Sequence, residues 1–273
     1  MNLRKGLPMS DRRPIGIFDS GVGGLTVAQQ IQNMLPEEDI VYFGDTARVP
    51  YGTKSKETVT KFSVENVEFL MEKDVKLVVV ACNTASSLSL DFIKRCFRVP
   101  IVGVIEPGAK GAVRSTRNKH IGVIGTNATI SSGAYEKAIR KIDPRISVAS
   151  RSCPLFVPLV EEGWLKEPVT RDIASIYLAP LRASKIDTLI MGCTHYPLLF
   201  KVIQDIMGHK VVLIDSAKEV AKEAKVILDS TGLLNSSGRK GKYNFFVSDE
   251  PSRFVAVAER FLKKKISCVK RAV

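Results

Sequence analysis

The chain has little that would anchor it in a membrane, cross-link it or hold a metal. Its longest strongly apolar runs, such as Leu77 to Cys82, are strand-sized, whereas a bilayer span needs about 20 residues. Arg4, Lys5, Arg12 and Arg13 crowd the start with no apolar stretch between them, so a secretory signal is not expected and the cytoplasm is the expected compartment. The five cysteines are odd in number and lack C-x-x-C spacing, which argues against a disulfide framework and a thiolate zinc site. Cys193 and His195 offer two potential metal ligands, but no second pair lies near them, and no metal is expected. The glycine-rich segment Asp19-Ser20-Gly21-Val22-Gly23-Gly24-Leu25 lacks the third glycine of a dinucleotide fingerprint in its proper place. No cofactor is expected.

Acidic residues are also scarce: 28 Asp and Glu stand against 41 Lys and Arg, for a net charge of +13. The excess gathers in Arg239-Lys240-Gly241-Lys242, Lys263-Lys264-Lys265 and Lys270-Arg271. These clusters lack interleaved aromatics, an RNP-like strand or a zinc-finger spacing, so they read as solvated helix ends and a tail rather than a nucleic-acid surface. A positive field of this kind favours an acidic substrate.

What is present is an ordinary globular composition, 45% hydrophobic and 25% charged, in 273 residues, enough for one large or two medium domains. Short apolar runs alternate with amphipathic stretches, which predicts an α/β fold with a largely parallel sheet. Strands are expected at 14–18, 40–43, 77–81 and 101–105, then at 121–124, 146–149, 188–191 and 211–214. Helices are expected at 25–34, 54–73, 86–95, 129–141, 169–183 and 251–263.

The pattern repeats. Ile15-Gly16-Ile17-Phe18-Asp19-Ser20 aligns with Ile121-Gly122-Val123-Ile124-Gly125-Thr126 at an offset of 106 residues (15 to 121). Leu77 to Thr84 and Thr188 to His195 each run a buried-strand pattern into a small residue, a cysteine and two polar residues, with the cysteines offset by 111 (82 to 193). Two pseudo-symmetric α/β units follow, meeting near Glu106-Pro107-Gly108, with functional loops at the carboxyl ends of their strands. Material after about Asp215 is extra and must pack back onto one unit. Cys82 and Cys193 would then face each other across a cleft. Paired thiols suit a reaction in which a proton leaves one face of a carbon and returns to the other, as in racemisation or epimerisation. The competing reading is that both are ordinary buried cysteines.

Neighbouring residues add chemistry. The Asp19-Ser20 pair and the glycines after it open a helix whose free N–H groups suit an anion, with Asp19 suited to an ammonium. The connection Gly44-Asp45-Thr46-Ala47-Arg48-Val49-Pro50-Tyr51-Gly52 is longer than usual for its place, which marks a functional loop or a rigid surface one. Cys82-Asn83-Thr84 also opens a helix, where the dipole favours a thiolate and the two polar side chains can hold a carboxylate. Cys193-Thr194-His195-Tyr196-Pro197 reads as the same arrangement, with a histidine able to stabilise the thiolate or shuttle its proton.

These segments resemble glutamate racemase. The resemblance rests on Asp-Ser-Gly-x-Gly-Gly-Leu at 19–25, Gly-Asp-Thr-Ala-x-x-Pro-Tyr-Gly at 44–52, Ala-Cys-Asn-Thr-Ala-Ser at 81–86 and Gly-Cys-Thr-His-Tyr-Pro-Leu at 192–198. Weaker agreement lies at 103–107, 125–130 and 153–163, and no motif position departs from the pattern. It implies a cofactor-independent racemase of the aspartate/glutamate superfamily with two α/β domains and a site between them. The first domain would be discontinuous, 1–106 with 216–273, and the second 107–215. It further implies that Cys82 deprotonates D-glutamate and Cys193 L-glutamate, with Asp19 assisting Cys82 and His195 assisting Cys193. Asp19, Ser20, Tyr51, Gly52, Asn83, Thr84, Thr194 and His195 would bind the substrate, with Asp45 and Glu161 as further acidic candidates. The implied role is supply of D-glutamate for peptidoglycan.

Three other functions compete. Aspartate racemase is the nearest, and the Ala-Cys-Asn-Thr-Ala and Gly-Cys-Thr-His-Tyr segments favour glutamate over it. A Cys193–His195 acyl-transfer enzyme leaves Cys82 and the repeat unexplained. A basic nucleic-acid module explains none of the cysteine motifs. A homodimer is compatible with the sequence, which fixes no oligomeric state.

Overall fold

The computed structural model describes residues 10–262, 265–266 and 268–272. The first unit contains β1 (Ile15–Asp19), α1 (Leu25–Met34), β2 (Ile40–Gly44), α2 (Lys56–Met71), β3 (Leu77–Val80), α3 (Asn83–Cys96) and β4 (Ile101–Gly103), after which α4 (Ile105–Ser115) leads into the second unit and packs on it. The second contains β5 (His120–Gly125), α5 (Asn127–Ser131), α6 (Ala134–Ile142), β6 (Ser147–Ser152), α7 (Phe156–Glu161), α8 (Pro168–Ala183), β7 (Thr188–Gly192), α9 (Phe200–Met207) and β8 (Val212–Asp215). The chain then adds α10 (Ser216–Ser230), β9 (Tyr243–Val247), α11 (Pro251–Leu262) and β10 (Val269–Arg271).

Among the described residues all strand pairs are parallel, in two sheets ordered β10-β9-β2-β1-β3-β4 and β6-β5-β7-β8. Within each unit the strands therefore run second, first, third, fourth. This shared order is the structural form of the sequence repeat. Every residue of β1, β2, β3 and β7 is buried, because helices cover both faces of the sheet, and such strands read as unbroken apolar runs. Parallel pairing brings the carboxyl ends of β1, β3, β5 and β7 to the same edges, so that Asp19, Cys82, Thr126 and Cys193 follow equivalent strands. Among the described residues no helix is long and apolar enough to cross a membrane.

Several expected boundaries move. The strand expected at 101–105 ends at Gly103, and the break expected at Glu106-Pro107-Gly108 lies inside α4. Pro107 sits in the first turn, where its missing N–H costs no helical hydrogen bond, and α10 packs against the helix at Gly108. The single helix expected over 129–141 is two, because Gly133 turns the chain at a φ of 63°. The helix expected from 86 starts at Asn83, since Cys82 caps it. Neither β9 nor β10 was expected; they extend the first sheet beyond β2. The last helix ends at Leu262, and Arg4, Lys5, Lys263 and Lys264 lie outside the described residues.

At the amino end of the first sheet a buried ion pair ties distant segments together. Lys76 Nζ lies 2.7 Å from Glu38 Oε2 and donates to the carbonyls of Asp11 at 2.6 Å and Leu233 at 2.7 Å. The Asn235 N–H donates to Glu38 Oε1 at 2.8 Å.

Candidate active site

Two strands end in cysteines, and two different environments receive them. Cys82 is the N-cap of α3, and its sulfur accepts a hydrogen bond from the Ala85 N–H at 3.5 Å. The thiol donates to Ser20 Oγ at 3.6 Å. Burial, reinforced by the charge of Asp19, pushes the Cys82 thiol up to about 12, so it rests protonated.

Cys193 does not open an α-helix. The chain passes from it through a 3₁₀ turn, Tyr196–Leu199, before α9 begins, and the Tyr196 ring packs this segment on Phe156 of α7. In place of a helix end, Cys193 Sγ has His195 Nδ1 at 3.9 Å. His195 Nε2 lies 3.1 Å from Glu161 Oε1 at the end of α7. Burial alone would pull the imidazole down, but hydrogen bonds to Cys193 and Glu161 outweigh it and hold His195 up to about 10. Burial works against the Glu161 carboxylate as well, and the bonded, charged His195 still leaves its pKa below the ordinary value. The pair is an imidazolium and a carboxylate, and the imidazolium stands directly beside the Cys193 sulfur.

Asp19 is fully buried and bridges the two units. The Gly21 N–H donates to its Oδ2 at 3.0 Å and the Thr194 hydroxyl to its Oδ1 at 3.5 Å. Burial raises its pKa, against the opposing charge of His195 and these hydrogen bonds. Further bonds cross the cleft. Thr84 Oγ1 lies 2.9 Å from Thr126 Oγ1 and 3.2 Å from Thr129 Oγ1. The Tyr135 hydroxyl donates to Asn83 Oδ1 at 2.7 Å.

The space between the cysteines is a cavity of ≈ 30 Å³. Ser20, Tyr51, Gly52, Cys82, Asn83 and Thr84 line it from the first unit, and Thr126, Glu161, Cys193, Thr194 and His195 from the second. A cavity that size has room for about one or two waters. A wider hollow of ≈ 220 Å³ adjoins it across Val49 and Glu161 and is walled by α11. Two thiols in different settings, with hydroxyl and amide donors and the His195–Glu161 pair around one small cavity, can pass a proton across a substrate held between them.

Comparison with known proteins agrees with this geometry. The family model of Asp/Glu/hydantoin racemases matches residues 20–224. The glutamate racemase of Geobacter metallireducens is 53% identical over 257 residues, 94% of this chain and 95% of that protein. The crystal structure of the glutamate racemase isoform RacE1 from Bacillus anthracis aligns with a TM-score of 0.93 at 42% identity, covering 98% of both chains. The Francisella tularensis glutamate racemase in complex with D-glutamate aligns at 0.90 and 39% identity, over 96% of this chain and 98% of that one. The chain belongs to the glutamate racemase family.

As a glutamate racemase, an amino-acid isomerase, it carries the sequence-predicted residues in three groups. The lining group includes ten of them: Ser20, Tyr51, Gly52, Cys82, Asn83, Thr84, Glu161, Cys193, Thr194 and His195. Asp19 stands behind the lining, and among the described residues no hydrogen bond joins it to Cys82. Asp45 does not reach the cavity. Its carboxylate is taken up by Arg48 Nε at 2.7 Å, Ser248 Oγ at 3.0 Å and the Tyr51 hydroxyl, so it braces the loop that carries Tyr51 and Gly52. Thr126 was missed as a lining residue, although the repeat aligns it with Ser20. Tyr135 and Ser216 were missed as well, and no local pattern marks either.

Proposed function

We propose that this glutamate racemase moves the Cα proton between Cys82 and Cys193 without a cofactor, supplying D-glutamate for peptidoglycan in the cytoplasm. The observation that carries the mechanism is the pair of cysteines on equivalent strands facing one small cavity, one capped as a thiol and the other beside an imidazolium. With L-glutamate, the Cys193 thiolate takes the Cα proton while Cys82 delivers its own to the opposite face. The product is D-glutamate, with Cys193 now a thiol and Cys82 a thiolate; D-glutamate runs the same path in reverse. Hydrogen bonds from Ser20, Asn83, Thr84 and Thr194 hold the substrate carboxylates and the charge that builds on the α-carboxylate. Asp19 sits where it can meet the ammonium. We assign 1–106 with 216–273 to one domain and 107–215 to the other, so the site forms where they meet.

The test is racemisation followed by circular dichroism on both enantiomers of glutamate and aspartate, with no pyridoxal phosphate, metal or nucleotide added, and then in D₂O. Glutamate should racemise in preference to aspartate. Deuterium should enter the product enantiomer early and the recovered substrate much less, because the incoming proton comes from a solvent-exchanged thiol. Cys82→Ser and Cys193→Ser should each cost several orders of magnitude, since serine's far higher pKa removes the base. Near-normal turnover by either variant would make that cysteine a packing residue and overturn the mechanism.

A further inference from the structure

We infer that Tyr135, with Ser216 behind it, is a positioning residue that fixes the side-chain amide of Asn83 so that its NH₂ group faces the substrate. This rests on the reading of Cys82-Asn83-Thr84 as one lip of the racemase site.

The argument begins with hydrogen-bond accounting. The Tyr135 oxygen lies 2.7 Å from Asn83 Oδ1 and 2.9 Å from Ser216 Oγ, and all three residues are buried. Two proton arrangements fit these distances. In one, Ser216 donates to Tyr135 and Tyr135 donates to Asn83 Oδ1, which satisfies both buried hydroxyl donors and leaves only Nδ2, on the cavity side, without a partner. In the other, the Asn83 amide is flipped, Nδ2 donates to Tyr135, and Tyr135 donates to Ser216. Ser216 Oγ has no other hydrogen-bond partner among the described residues, so the flipped arrangement strands a buried hydroxyl proton. Leaving such a donor unmade costs more than the bond itself contributes. The first arrangement wins, and it turns Nδ2 away from Tyr135. Among the described residues Nδ2 has no partner, and Asn83 lines the cavity.

The reach of Tyr135 to this spot has its own structural provision. An added Cβ at Gly192 would stand 3.0 Å from the Tyr135 ring, and one at Gly108 would stand 3.3 Å from both the ring and its hydroxyl. Glycine at both positions leaves a slot for the ring. Gly192 precedes Cys193, and Ser216 opens α10, which leads the chain back to the first sheet. One side chain thus reaches the residue after Cys82 and the returning helix with its hydroxyl and lies against the residue before Cys193 with its ring. Because Tyr135 and Asn83 belong to different units, the amide is fixed only when the cleft is closed.

The test is a double-mutant cycle on the full chain, with kcat from racemisation and Kd for racemic glutamate from calorimetry. Tyr135→Phe should raise Kd about three- to tenfold, the worth of one neutral hydrogen bond, and leave kcat within about twofold. In an Asn83→Ala background the same change should have no effect on Kd. A Kd that rises equally with and without Asn83, or one that does not move in the folded Tyr135→Phe protein, overturns the inference. If Tyr135→Phe does not fold, Ser216→Ala is read on the same cycle: a smaller rise that vanishes in Asn83→Ala supports the chain of donors, and an unchanged or background-independent Kd overturns it. The cysteine variants separate the two levels. Loss of turnover in Cys82→Ser and Cys193→Ser with no Asn83-dependent effect of Tyr135 sinks only this inference, whereas normal turnover in either cysteine variant sinks the site on which it stands.

Discussion

The Thr194 hydroxyl donates to Asp19 Oδ1 at 3.5 Å, so a carboxylate at the end of the first unit's central strand is held by the residue between Cys193 and His195. Asp19 therefore joins the Cys82 side of the cleft to the Cys193–His195 side. Its charge pushes the Cys82 thiol up and is itself partly balanced by His195.

Removing that charge should act on Cys82 in a definite direction. In Asp19→Asn the repulsion is gone, and the Cys82 thiol should titrate below its present value of about 12. Ultraviolet thiolate absorbance in a Cys193→Ser background reads this directly. A titration that stays in place or moves upward would mean that Asp19 is neutral in the native protein.

His195 should stay cationic well past neutrality. Its imidazolium is held up to about 10 against an ordinary value near 6.5, so the associated stability is full below about 6.5 and is lost as pH rises through about 10. Glu161→Gln removes one of the groups that raise it, and the His195 ring resonances in an NMR titration should then shift at lower pH. An unchanged titration would leave Cys193 alone as the cause.

Gly52 should control closure of the cleft. A Cβ there would fall 2.6 Å from Thr126 Cβ, across the line where the two units touch. Gly52→Ala should prop the loop off α5 and raise KM for both enantiomers by about tenfold or more, in line with the tens to hundreds that small misplacements cost. Steady-state kinetics with wild-type KM would show that the loop yields freely.

The buried Lys76–Glu38 pair should matter for stability and not for turnover, since it lies at the far end of the sheet. Lys76→Met leaves Glu38 without its cation and should cost about 3–5 kcal/mol in urea unfolding with kcat retained. Burial raises the Glu38 pKa, so the folded state already binds this proton more tightly than the unfolded one. Without Lys76 the deficit should ease as pH falls and Glu38 protonates, and grow as pH rises. A deficit independent of pH would point to lost packing instead.

The parts of the fold that could be read in the sequence are those where one local pattern has one cause. Leu77–Val80 and Thr188–Gly192 read as strands because helices on both faces bury every position and leave the runs almost wholly apolar. The cysteines and their polar neighbours read as a site because the repeat places them at the same strand end. What could not be read depends on distant partners. Tyr243–Val247 follows a basic stretch and gains its strand identity from β2. Gly108 resembles a helix breaker until α10 is seen against it. Asp45 has the composition of a site residue, and only its bonds to Arg48, Tyr51 and Ser248 show it to be a brace. His195 stands beside Cys193 in the sequence and could be read there, whereas the helix cap at Cys82 and the 3₁₀ turn after Cys193 follow from packing and could not be told apart.

The parallel pairing of Ile40 with Tyr243 has a consequence for synthesis on the ribosome. All four strands of the second sheet lie between His120 and Asp215, so that unit can close while the chain is still being made. The first sheet begins earlier and finishes later: β2 keeps an open edge until Tyr243–Val247 have emerged, and an open edge is an invitation to wrong pairing. The second sheet can therefore be complete before the first, and the unit that begins the chain is the last whose sheet can be finished.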